Sequence, residues 1–138
     1  MKIVFVSSCI LLKKNKILIT KRPLDKPFPN CWEFPGGKLQ KEENFYDAII
    51  RELQEELGIK IKSKDLSIVD NISHSYEPNS IIVMAVFCLR DWSGTVKAKE
   101  NQKIQWLNAP DLLKVKFLEG SKIILEKINT NLYGFNHG

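Results

Sequence analysis

The sequence predicts a mixed α/β domain. Three observations carry this: β-rich apolar runs lie on both sides of one internal helix, a glycine stop ends that helix, and a second amphipathic helix closes the chain.

Lys2 and the apolar run Ile3 to Leu12 come first. Lys13-Lys14-Asn15-Lys16 reads as a turn and Ile17-Leu18-Ile19-Thr20 as a partner strand, so a β-hairpin is expected. The run has a faint likeness to a signal peptide, and Val6-Ser7-Ser8-Cys9 to a lipoprotein site. The apolar stretch before Cys9 is shorter than the roughly 7–15 residues of a signal h-region, which favours the hairpin. Arg22 to Gly37 carries Pro23, Pro27, Pro29, Pro35 and the pair Gly36-Gly37, a density that blocks regular helix, and it reads as a loop. Asn44 to Leu57 reads as a helix, with Gly58 as its left-handed stop. Leu66 to Ile72 and Ile81 to Leu89 are strand candidates, Asp91 to Gly94 a turn, and Lys103 to Leu107 a further strand entering a turn at Asn108 to Asp111. A last helix is expected from about Ser121 to Leu132, with Ile124, Ile128 and Leu132 at fourfold spacing, followed by a frayed tail from Tyr133 to Gly138.

All 138 residues fit one domain, long enough to bury a core without staples. At 43% hydrophobic and 27% charged residues, the composition excludes intrinsic disorder and a disulfide mini-scaffold. No apolar run approaches the ~18 residues of a membrane span. Cys9, Cys31 and Cys88 are odd in number and lack C-x-x-C spacing, which excludes a disulfide framework and fits a reducing cytoplasm. The net charge of +5 suits an anionic ligand such as a nucleotide, although scattered lysines that only keep a surface solvated would give the same sum.

The internal helix carries the chemistry. On a wheel of 100° per residue, Tyr46, Ile50, Leu53 and Leu57 form an apolar stripe for the sheet. Glu52, Glu55 and Glu56 gather on another face within one turn, with Ala48 on that side one turn earlier. Like charges at i,i+3 and i,i+4 cost a helix about 0.2–0.5 kcal/mol each. Arg51 can reach Glu55 but cannot neutralise the whole face. Such a face is either simply solvated or a site for a hard divalent cation, which takes oxygen ligands. The adjacent Gly-Gly turn, with a carbonyl that no side chain obstructs, favours the cation. Without histidine or cysteine in the cluster, magnesium or manganese fits better than zinc.

The run Gly37-x5-Glu43-x7-Arg51-Glu52-Leu53-Gln54-Glu55-Glu56-Leu57-Gly58-Ile59 matches every fixed position of the Nudix box, G-x5-E-x7-R-E-U-x-E-E-x-G-U. Its seven fixed identities would coincide by chance about once in 10⁸ starting positions. The chain therefore resembles the Nudix hydrolases, and among them the MutT-type 8-oxo-dGTP diphosphatases most. Thr20-Lys21-Arg22 is similar to the end of their first hairpin, Trp32 to Lys38 to their lead into the box, and Lys99 to Gln102 with Trp106-Leu107 to their late metal-binding loop and following strand.

The resemblance implies the Nudix fold, an α/β/α sandwich with a mixed sheet. It implies Mg²⁺-dependent hydrolysis, with Mn²⁺ as a substitute, of a nucleoside triphosphate to a monophosphate and pyrophosphate, in the service of nucleotide-pool sanitation. Glu52, Glu55, Glu56, Glu100 and the Gly36 carbonyl would hold the metal. Arg51 would orient a box carboxylate, and Glu43 would support the loop before the helix. Glu52 is the first choice for general base and Glu100 the second. Arg22 would contact phosphate. Glu33, Phe34, Pro35 and Gly36 would line the nucleotide site, with a core role for Phe34 equally open. Ser121 stands where such enzymes carry the Asn or Asp that reads the purine edge, and its single hydroxyl weakens the expectation of strict 8-oxoguanine selectivity.

Alternative readings are a Nudix enzyme for a dinucleoside polyphosphate, nucleotide sugar or capped RNA, and a non-catalytic nucleotide-binding module. The three helix carboxylates favour catalysis. No stable nucleic-acid complex, no membrane association and a monomer are expected. His74 is expected in a loop, without a catalytic partner.

Overall fold

A computed structural model describes residues 1–129. The strands are β1 (Lys2–Lys13), β2 (Lys16–Lys21), β3 (Trp32–Glu33), β4 (Gly36–Lys38), β5 (Leu66–Glu77), β6 (Ser80–Leu89) and β7 (Lys103–Asn108), with helices α1 (Phe45–Leu57) and α2 (Glu119–Asn129). Short 3-10 turns occupy Ser63–Asp65 and Ala109–Lys114.

β1 organises the sheet. One edge runs parallel to β6 from Lys2 to Leu11. The other edge pairs antiparallel with β4 through Val6, Ser7 and Ser8, then with β2 through Leu12 and Lys13. β2 is flanked by β3 and β7, and β5 lies outside β6. One parallel pair among antiparallel neighbours makes the sheet mixed. The hairpin turn is Lys14-Asn15, both at positive φ (52° and 65°), the geometry whose twist suits a two-residue hairpin loop.

Alternate residues of β1 feed two cores. Cys9 and Leu11 pack with Ile49, Leu53 and Leu57 of α1, whereas Ile10 and Leu12 pack with Ile124, Leu125 and Ile128 of α2. A strand buried on both faces reads as a continuous apolar run, which is why Cys9 to Leu12 shows no alternation. Helices on the two faces give the expected α/β/α layering. All three cysteines are free and buried.

The elements depart from the sequence reading in five places. The supposed loop from Arg22 to Gly37 contains β3 and β4, strands too short to show periodicity. The strand expected to stop at Ile72 continues to Glu77 and carries His74, which is therefore a strand residue and not a loop residue. Its polar half pairs with β6, through register shifts at Ile68/Asp70 and His74/Glu77. The turn expected at Asn108 to Asp111 is a 3-10 turn running to Lys114. α2 starts two residues before Ser121, while Leu132 and the tail to Gly138 lie outside the described residues. On α1 the fully buried residues are Ala48, Ile49, Leu53 and Leu57, with Tyr46 and Ile50 only half-buried. The helix is turned so that the line Ala48–Glu52–Glu56 faces β4 instead of solvent.

Candidate active site

Two caps fix where α1 begins and ends. The Asn44 side chain accepts from the Asp47 N–H at 2.8 Å and the Asp47 carboxylate accepts from the Asn44 N–H at 3.0 Å, a reciprocal capping box. At the other end Gly58, at φ 72°, donates its N–H to the Gln54 carbonyl. A late loop then straps the last turn. Lys97 N–H donates to the Leu57 carbonyl and Lys99 N–H to the Glu56 carbonyl, at 2.9 and 3.0 Å. The Gln102 side-chain amide donates to the same Glu56 carbonyl at 2.7 Å. Carbonyls that a helix end leaves without partners are thereby satisfied. The same strap carries Glu100 to the C-terminal end of the acidic line.

The glycine pair lets that line come close. A Cβ on Gly37 would sit 2.5 Å from a Glu52 carboxylate oxygen, so any side chain there would displace Glu52. A Cβ on Gly36, whose φ is 151°, would strike the Ser7 carbonyl oxygen at 2.1 Å. Gly36 N–H donates to Glu56 Oε2 at 3.1 Å.

Arg51 gathers the remaining carboxylates. Its Nε and Nη2 grip Glu43 at 2.7 and 2.9 Å, Nη1 donates to Glu52 at 2.8 Å and to Glu55 at 3.2 Å, and Nη2 also reaches the Lys38 carbonyl at 3.1 Å. The fork on Glu43 is the strong bidentate form. These hydrogen bonds hold the Glu43 carboxyl below the usual range. Glu43 also accepts from the Gln40 N–H, so it ties the loop to the helix.

The electrostatics of the acidic line are unlike those of a solvated face. Burial, reinforced by Glu52, Glu33 and Glu100, pushes the Glu56 carboxyl up to about 9 despite the Gly36 N–H. Burial likewise raises Glu52, with Arg51 opposing and the charges of Glu55 and Glu100 adding. Glu33 is raised by burial against the lowering effect of Arg22, whose Nε lies 3.3 Å from its carboxylate. Among the described residues, no three His, Cys, Asp or Glu side chains stand ready-made as a metal cage. Arg51 and the Gly36 N–H occupy those oxygens instead. The donor set still fits a hard divalent cation, because it is all oxygen and its mutual repulsion is relieved by added positive charge.

A hollow of about 290 Å³ is lined by Thr20, Lys21, Arg22, Pro23, Lys26, Glu33, Gly36, Gly37, Glu56, Glu100 and Gln102. The structure therefore brings Arg22, Glu33, Gly36, Glu56 and Glu100 to one cleft, with Glu52 against its Gly37 wall. Glu55 is half exposed and rests on Arg51, at the margin. Glu33, Gly36 and Gly37 also border a second hollow of about 210 Å³, otherwise mostly apolar, with Val6, Ser8, Phe34, Ile82, Met84, Leu118 and Ile124 in its walls. Phe34 borders this pocket and is also a core aromatic, stacked on Phe117 at 5.3 Å. Pro35 is buried, and its carbonyl accepts from Cys9 N–H, so it borders neither hollow. Ser121 lines the apolar pocket, but its hydroxyl accepts from the Phe34 N–H at 3.1 Å.

Sequence reasoning missed Lys21, Lys26 and Gln102 in the cleft, and Val6, Ser8, Ile82 and Met84 in the pocket. The polar pair Ser7-Ser8 inside an apolar strand, both bordering the pocket, was the available signal there. Lys21 and Gln102 lie in segments quoted for the family resemblance but carried no role there, and nothing local in the sequence marks Val6, Lys26, Ile82 or Met84, which the fold brings in from distant segments.

The NUDIX domain family pattern matches residues 2–128. An 8-oxo-dGTP diphosphatase of Buchnera aphidicola is 32% identical over 124 residues, covering 90% of this chain and 92% of that protein. A CTP pyrophosphohydrolase of Escherichia coli is 32% identical over 127 residues, covering 91% of each. A solved structure from a study of MutT from Aliivibrio salmonicida and Vibrio cholerae superposes with a TM-score of 0.78 at 25% identity, covering 94% of this chain and 99% of that one.

Proposed function

The chain belongs to the Nudix family, and from that premise we propose that it is a nucleoside triphosphate pyrophosphohydrolase of the 8-oxo-dGTP diphosphatase type, releasing a nucleoside monophosphate and pyrophosphate. Hydrolysis of pyrophosphate bonds is common ground for the family. The observation that carries the finer reading is one cleft joining a buried, mutually repelling carboxylate set to an apolar pocket of about 210 Å³.

Glu52, Glu56, Glu100 and the Gly36 backbone would hold a divalent cation, with Glu55 at the margin. Such an ion, when bound, neutralises phosphate charge and makes a water molecule easier to deprotonate. The chain's own residues supply the rest. Glu52 takes the proton from the attacking water. Its raised affinity for protons suits a general base, and Arg51 and the Gly37 wall fix its position. Arg22, braced by Glu33, meets the phosphates. Phe34 and its apolar neighbours take the base and exclude water. Nucleotide-pool sanitation in the cytoplasm is the role that follows from this substrate class.

Ser121 favours a second reading of the substrate. Its hydroxyl accepts from the Phe34 N–H and, unlike an amide, has only one O–H donor left for a purine edge, which supports a broader nucleoside triphosphate range including CTP. A product assay across 8-oxo-dGTP, dGTP, CTP and diadenosine polyphosphates tests both. A marked preference for 8-oxo-dGTP supports the first reading and a flat triphosphate profile the second. Absence of Mg²⁺-dependent hydrolysis of every triphosphate refutes the function proposed.

A further inference from the structure

A third hollow, of about 390 Å³, adjoins the cleft and shares Lys21, Arg22 and Pro23 with it. Leu24, Asp25, Asn30, Asn101 and Lys103 complete its wall. Three cations thus face one carboxylate there, and Arg22 is already partly engaged by Glu33.

The strand register makes this charge placement unusual. Lys21 lies directly opposite Lys103 in the β2–β7 pair and opposite Trp32 in the β2–β3 pair. Directly opposed residues of antiparallel strands project from the same face, and like charges in that relation destabilise a sheet. The Lys21 ammonium stands 5.8 Å from the centre of the Trp32 ring, which offsets part of that repulsion. Among the described residues no carboxylate forms a salt bridge with either lysine, whereas Arg22 has Glu33, Lys114 has Asp111, and Arg51 has Glu43, Glu52 and Glu55. One loop serves both hollows: Glu100 borders the cleft, and Asn101 and Lys103 border its neighbour.

We infer that the hollow formed by Lys21, Arg22 and Lys103 binds the terminal, departing phosphates of a polyphosphate substrate. This rests on the function proposed above and adds a location and two residues to it. The apolar pocket, the carboxylate cleft and the basic hollow are joined through shared walls, in the order base, scissile bond and leaving group. A leaving pyrophosphate carries several negative charges, and two opposed ammonium groups match it where a single arginine would not. The repulsion between Lys21 and Lys103 in the empty protein becomes attraction to a shared anion.

Titration calorimetry with magnesium pyrophosphate and, separately, a nucleoside monophosphate tests this on the wild type, Lys103→Gln and Lys21→Gln. Each substitution should weaken pyrophosphate binding about fivefold, the scale of one partly exposed charge contact, and the pair should weaken it more. Monophosphate affinity should stay within twofold. Relief of the lysine pair should leave the unfolding midpoint unchanged or higher, which separates loss of a site from loss of fold. Unchanged pyrophosphate affinity, or equal loss for both ligands, overturns the assignment. Because binding is read directly, a chain that hydrolysed no triphosphate would sink the proposed function while the calorimetry still decided this site.

Discussion

Replacing Glu56 with glutamine should make the metal-free protein more stable while removing its turnover. The wild-type carboxyl, raised to about 9 from an ordinary 4.5, carries its proton in the fold at pH 7 and loses it on unfolding. Each pH unit between those values is worth ~1.4 kcal/mol, so neutral pH corresponds to about 3 kcal/mol of lost stability. Glutamine has nearly the same shape, stays neutral in both states, and offers an oxygen to the Gly36 N–H. It should recover most of that figure. With ~2.1 cal/mol/K of unfolding entropy per residue, 3 kcal/mol raises the midpoint of a chain this size by about 10 °C. The sign is definite: the raised folded value means the native state binds more protons, so wild-type stability falls as pH rises from about 4.5 to about 9. The stability gap to the variant should therefore be small at pH 5 and wide at pH 8. Magnesium should narrow it, because the cation stabilises the ionised wild-type site and finds a weaker one in the variant. Thermal unfolding at three pH values, with and without Mg²⁺, measures this, and a product assay measures turnover. Loss of outer partners alone costs a metal site 10–100-fold, so loss of a direct ligand should cost at least about 100-fold. A gap that does not widen with pH would refute the buried-carboxyl argument, and normal turnover would refute the metal assignment.

Glu100→Ala should lower kcat at least tenfold with little change in the unfolding midpoint, since its side chain is exposed; unchanged kcat in steady-state assays would remove the late loop from the chemistry. Gly37→Ala should displace Glu52, whose oxygen the new Cβ would approach at 2.5 Å, and reduce kcat more than KM; full activity would contradict a fixed role for Glu52. Arg51→Lys keeps the charge but loses the fork on Glu43, so it should cost about 1–2 kcal/mol in urea unfolding together with part of kcat. Ser121→Asn can keep an acceptor for the Phe34 N–H and add an amide donor, so it should raise the ratio of kcat/KM for 8-oxo-dGTP over dGTP; an unmoved ratio places Ser121 away from the base edge.

What the sequence made legible was local. Asn44, Gly58 and the spacing of Arg51, Glu52, Glu55 and Glu56 mark one helix, its ends and its cluster of carboxylates within a short stretch of chain, and the helix and both caps are present in the folded protein. The stripe Tyr46, Ile50, Leu53, Leu57 does pack on the sheet-side core but was incomplete, because a wheel cannot know which flanks of the stripe the sheet also reaches: Ile49 is buried there with Cys9 and Leu11 of β1, and Ala48 is buried on the line that faces β4. β3 and β4 were hidden because strands of two and three residues have no period, and their pairing partners lie many residues away. Ser121 borders the apolar pocket, yet its hydrogen bond to Phe34 spans 87 residues and leaves no trace in either segment.

Contacts from distant parts of the chain also set the acidic face apart from an ordinary solvated surface. Three glutamates on one turn would spread their charge into water if the helix stood alone. Here β4 closes one side with two glycines, and the loop from Lys97 to Gln102 closes the end by taking the carbonyls of Glu56 and Leu57. Each of these contacts also removes solvent from the carboxylates, so the fold itself raises the cost of leaving them without a cation. The hydrogen bonds that terminate the helix and the repulsion that calls for positive charge come from one set of contacts. A change that loosened the strap, such as Gln102→Ala, would relax both together, lowering the Glu56 carboxyl toward its ordinary range and weakening Mg²⁺ binding as Glu100 drifted away.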